Sequence, residues 1–81
     1  MAVAVSMYTH DVFDAVSGNY LGELGLEREM QIGEGIASGD GRVFRVLSIS
    51  IAGPAANLLR RLEVVESYDV ACVARLEGPE K

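Results

Sequence analysis

The chain has 81 residues, and its twelve acidic and seven basic side chains leave a net charge of −5. One cysteine, Cys72, and one histidine, His10, exclude an internal disulfide and a Cys/His zinc site, and a pI near 4.6 excludes a clustered basic stripe for gripping nucleic acid. Hydrophobic residues make up 49% of the chain, with ten Val, eight Leu and four Ile, so it is not disordered.

From Val3 the sequence alternates, with Val3, Val5 and Met7 on one side and Ala4, Ser6 and Tyr8 on the other. That period of two predicts a half-buried strand. It runs on through Asp11 to Ala15 and meets Ser17-Gly18-Asn19, residue types that suit a tight turn. Tyr20 to Glu27 then alternate again and read as the return strand. Gly22 and Gly25 within it offer no side chain to pack and predict a bend or bulge.

Gly33, Gly35, Gly39 and Gly41 crowd the next segment, which reads as a connection ending in the turn Ser38-Gly39-Asp40-Gly41. In Arg42 to Ile51 the apolar phase changes partway: Phe44 and Val46 share one parity, Leu47, Ile49 and Ile51 the other. A one-residue bulge near Val46-Leu47 would bring both sets to one core. Gly53-Pro54 ends that strand, and Pro54 suits the first position of a short helix over 54–62, with Leu58, Leu59 and Leu62 inward and Arg60 and Arg61 outward. Beyond it Leu62, Val64, Tyr68, Val70, Cys72, Ala74 and Leu76 hold one parity, as one long strand or two joined near Ser67.

The expected fold is therefore mainly β, a small antiparallel bent sheet or SH3-like barrel of about five strands with one short helix. Residues 1–77 form one domain, and 78–81 read as a frayed tail.

Charge divides unevenly. Residues 1–40 carry seven acids and Arg28 alone as a base, whereas residues 41–81 carry five acids and six bases. This reads as a solvated acidic face, or as a surface that meets a basic partner or the basic side of a second copy.

Catalytic chemistry finds little support. His10 and Asp11 point to opposite faces of a strand, and no serine sits in a Gly-x-Ser-x-Gly context. Cys72 falls on an apolar parity and reads as core. The run Gly33 to Gly39 lacks the following helix and basic residue of a phosphate loop, and the carboxylates lack calcium-loop spacing. No cofactor and no metal are expected, and the chain reads as non-enzymatic.

A domain this small buries only roughly 60% of the surface its unfolded chain exposes. With no staple and a mean hydropathy of +0.22, apolar surface closing on another chain is the expected source of extra stability. The sequence thus predicts a protein-interaction module, self-associating or part of an assembly, with candidate interface residues Tyr8, Tyr20, Ile49, Ile51, Leu58, Leu59, Arg60 and Arg61. Two alternatives are an acidic inhibitor imitating nucleic acid in a basic groove, and a small-ligand binder whose pocket forms between subunits. Met1 to Tyr8 has no basic residue before an apolar run, and the longest uncharged run, Val46 to Leu59, is broken by Gly53-Pro54. A soluble, cytoplasmic chain is expected.

Overall fold

The computed structural model describes residues 8–51 and 58–76. Six strands occur in chain order: β1 (Tyr8–Asp14), β2 (Tyr20–Leu26), β3 (Gly35–Ala37), β4 (Val43–Ile51), β5 (Leu59–Glu66) and β6 (Cys72–Arg75). They form one sheet in the order β2-β1-β5-β4-β3-β6, curled into a half-barrel. The mainly β architecture expected from the alternation is therefore present, with three corrections. The start of the first alternation, 3–7, and the tail, 78–81, lie outside the described residues.

The sheet is mixed rather than antiparallel. β1 pairs β5 in parallel, Thr9 opposite Leu59 through Asp14 opposite Val64, and β3 pairs β6 in parallel. Local alternation cannot report strand direction, because inward and outward positions repeat every second residue in either orientation.

The second correction concerns the helix. Leu59 to Leu62 belong to β5, with Arg60, Leu62 and Val64 buried in alternation. Residues 54–57 lie outside the described residues. An isolated helix of about two turns is marginal, whereas in strand form Leu62 lies opposite Val12 on one side and Ile49 on the other.

Third, the glycine-rich connection contains a strand. β3 is only Gly35–Ala37, yet Ile36 within it is fully buried. Gly35 makes this possible by close approach. A Cβ placed on it would lie 2.6 Å from the Ala71 carbonyl oxygen, the same oxygen that accepts the Gly35 N–H at 3.1 Å.

The core gathers Val12, Leu24, Met30, Ile36, Phe44, Val46, Leu62, Val64 and Leu76. Each such side chain contributes about 1.5–3 kcal/mol on removal from water. Two irregularities let short strands serve it. At β2, Val12 is opposite Gly22 but Phe13 is opposite Tyr20, so Leu21 is the extra residue, and Gly22 takes φ 144°, a conformation that favours glycine. At β4, Val46 is opposite Val64 and Ser48 opposite Glu63, which makes Leu47 the extra residue. The bulge expected from the phase change is there. Ile49 then packs against the core, while Leu47 and Ile51 remain exposed.

A third irregularity corrects the reading of Cys72, which is exposed. Gly35 is opposite Cys72 but Ile36 is opposite Ala74, so the register slips at Val73 and Cys72 leaves the face of Ala74 and Leu76. Parity holds for the end of β6 and fails at its start. The chain turns between β5 and β6 at Ser67–Val70, in keeping with two strands joined near Ser67.

Gly35→Ala is expected to destabilise the fold by about 1–3 kcal/mol, because the new methyl meets backbone that cannot swing aside. Gly39→Ala, with nothing within 4 Å of its Cβ position, is expected to stay within about 0.5 kcal/mol of the parent. Urea unfolding of both variants checks this; equal midpoints would refute the close-approach argument.

Candidate interaction surface

β1 and β5 lie side by side in register, so His10 is opposite Arg60 and both side chains point into the curl. They make one end of the core polar. Arg60 is 8% exposed and pairs with the Glu29 carboxylate, while its guanidinium sits 5.2 Å from the centroid of the Tyr8 ring. This corrects the expectation that Arg60 points to solvent: its place on the inward parity of a strand, beside Leu62 and Val64, turns it inside.

His10 is 0% exposed. Its Nε2 accepts the Met30 N–H at 3.2 Å, which places the ring proton on Nδ1, and Nδ1 donates to the Leu24 carbonyl at 3.2 Å. The neutral ring thus satisfies one buried donor and one acceptor. Burial pushes its pKa below the ordinary 6.5, against the opposing pull of the Leu24 carbonyl and Glu29; Arg60 and Arg28 add to the lowering.

The segment between β2 and β3 wraps this polar end. Arg28 forks onto Glu34 at 2.8 and 3.1 Å, and Glu34 Oε1 also accepts the Gln31 N–H at 2.8 Å. The Arg28 hydrogen bonds hold the Glu34 carboxyl below its usual range. Backbone bonds of Gly33 and Glu34 to Val46 then tie the segment's end to β4. Between these ties Met30 turns inward and is buried, whereas Ile32 turns outward and is 68% exposed.

Ile32 there meets the end of β4. Glu29, Met30, Gln31, Ile32, Ile49, Ser50 and Ile51 line an open groove of about 480 Å³, with Ile51 53% exposed. A second groove of about 400 Å³ lies along the seam where the two edge strands approach, with Glu23, Leu24 and Leu26 of β2 on one side and Ala74 and Arg75 of β6 on the other.

Six of the eight residues singled out in the sequence fall in three places, and Leu58 and Leu59 lie apart from them. Ile49 and Ile51 share the isoleucine groove. Tyr8, which is half-buried on the inward parity rather than on the polar one, joins Arg60 at the polar end of the core. Tyr20 and Arg61 lie on the outer face around Phe13, whose ring centroid is 5.3 Å from that of Tyr20 and 4.0 Å from the Arg61 guanidinium. Leu58 and Leu59 are half-buried at the start of β5. Glu29, Met30 and Ile32 are the residues that sequence reasoning misses. A signal for them is present in Met30-Gln31-Ile32, where two apolar residues straddle a polar one inside an otherwise charged and glycine-bearing segment.

The acids of the first half are substantially engaged within the chain. Glu29, Glu34 and Asp40 pair with Arg60, Arg28 and Arg42, and Asp14 Oδ1 accepts the Val16 N–H at 2.8 Å in the hairpin turn. Among the described residues no three His, Cys, Asp or Glu side chains are grouped to hold a metal ion, and no helix is long and apolar enough to cross a membrane. Comparison with protein-family models, curated proteins and solved structures finds no match to this chain.

Removal of the Arg60 side chain strips Glu29 of its partner and Tyr8 of its stacking cation, and leaves a void at a buried position. Arg60→Ala is expected to cost about 2–4 kcal/mol. Arg28→Ala breaks a solvent-facing pair and is expected to lower the midpoint much less. Denaturant midpoints of the two variants measure the difference, and a reversed order would overturn the placement of Arg60.

Proposed function

We propose that this chain is a non-enzymatic protein-interaction module that associates with copies of itself through the groove of Ile32, Ile49 and Ile51. The observation that carries the reading is that groove. Three branched apolar side chains from two separate segments stand together at the surface of a domain with no disulfide, and Ile32 and Ile51 are more than half exposed. A small domain lowers its free energy by covering such a patch.

A second copy brings the same exposed isoleucines, so that groove can meet groove across a two-fold contact. Imitation of nucleic acid draws less support, because Glu29, Glu34 and Asp40 already have arginine partners.

Native mass spectrometry and sedimentation velocity test the proposal together. A multiple of the 8.7 kDa chain mass is expected, with Ile32→Asp shifting the population to a monomer that keeps its strand signal in circular dichroism, since Ile32 is outside the core, and that melts lower by the stability association supplied. A chain that stays monomeric at its solubility limit would sink this reading. An oligomer indifferent to Ile32→Asp would move the interface elsewhere.

A further inference from the structure

The groove's inner wall and the buried histidine share one residue. Met30 lines the groove with its neighbours Glu29, Gln31 and Ile32, and its amide is held by His10 Nε2. The other ties of the segment are the Glu29–Arg60 ion pair beside it, the Arg28–Glu34 pair, and the Gly33 and Glu34 backbone bonds to β4. At the centre of the span, His10 holds the backbone to the core.

We propose that His10 is a proton-operated latch on this wall: a proton on Nε2 converts the acceptor of the Met30 amide into a donor, frees the Met30–Ile32 backbone from the core, and disperses the isoleucine groove. Control of assembly by the latch rests on self-association through that groove; the latch itself does not.

The chemistry is set by the geometry. Neutral imidazole offers one acceptor, and that acceptor is used by Met30; imidazolium offers none. With two N–H groups then facing each other in a site closed to water, the segment has to move for either to find a partner. The charged groups facing the ring are Arg60 from β5, and Arg28 and Glu29 from the segment itself; β2 contributes the neutral Leu24 carbonyl and β1 the neutral Tyr8 ring, 6.4 Å away between centroids. Arg60 and Arg28 oppose the proton, Glu29 favours it, and burial outweighs Glu29 and the Leu24 carbonyl. The latch is therefore closed at neutral pH.

That lowering fixes the sign of the linkage. The open state binds a proton with the ordinary histidine pKa of 6.5 and the closed state binds it only below that value. Closure is thus at full strength above pH 6.5 and weakens as pH falls toward the folded-state pKa.

Because His10 is the single histidine, its ring nitrogens can be followed by NMR without ambiguity on the intact chain. As pH falls from about 8 the ring is expected to pass from the Nδ1–H form to imidazolium with a midpoint below 6.5. As the ring titrates the Met30 amide, corrected for intrinsic exchange, is expected to open about tenfold more for each pH unit between 6.5 and the ring's own midpoint, and to level off below it. The Val64 and Phe44 amides are expected to keep their protection. Loss of all protection at once would mean that the whole fold responds, and an unmoved Met30 amide through the titration would mean that the bond holds nothing; either overturns the latch. His10→Gln, which keeps an acceptor that does not titrate, is expected to make Met30 exchange independent of pH, and if it fails to fold the measurements on the parent chain decide alone.

Sedimentation across the same pH series separates the two claims. Oligomers that dissociate as Met30 opens satisfy both. A monomer at every pH whose Met30 amide still opens would remove self-association and leave the latch. Oligomers unaffected by pH while Met30 opens would overturn the control of the groove, and oligomers unaffected by pH with a silent Met30 would remove the latch and leave self-association.

Discussion

The parallel ladder between β1 and β5 joins Thr9 to Leu59 and Asp14 to Val64, and the rest of the molecule is arranged around it. Both strands are central in the sheet, so each must present apolar side chains to the curl and find a neighbour on both sides. Val12, Leu62 and Val64 meet the first requirement; β2 and β4 meet the second. The same register sets His10 beside Arg60. Two polar side chains enter the core together, and each needs a partner from outside the ladder.

Those partners come from the segment between β2 and β3. Glu29 answers Arg60 and the Met30 amide answers His10. A buried polar group left unpaired costs about 1–3 kcal/mol, so the path of this segment is dictated by the ladder it caps. Its outward residue Ile32 then has no choice but to face solvent beside Ile49 and Ile51. The groove is a consequence of satisfying the core's polar end.

Much of this is legible in the alternation of apolar residues, and the failures share a cause. The β1–β2 hairpin, its turn at Ser17-Gly18-Asn19 and the Leu47 bulge arise from patterns within a few residues. Strand direction does not, since β1 and β5 meet across fifty positions and the alternation is blind to which way a neighbour runs. Arg60 reads as solvent-facing because its charge favours water; Glu29, thirty-one positions away, and the Tyr8 ring help to offset the cost of its burial. Cys72 reads as core only while parity is carried through a register slip that Gly35 and Val73 create together. Ile32 escapes notice because it stands in a segment without periodicity.

Strand order also fixes a timetable for biosynthesis. β5 lies between β1 and β4 in the sheet but after both in the chain, so the ribosome delivers both neighbours before the strand that unites them. Until it emerges, the β1–β2 hairpin and the β3–β4 pair are two half-sheets with no common edge, and Val12, Phe44 and Val46 face water. Newly made chains therefore carry open strand edges and apolar faces until β5 is free of the tunnel, the state in which chaperones and proteases compete for a nascent protein.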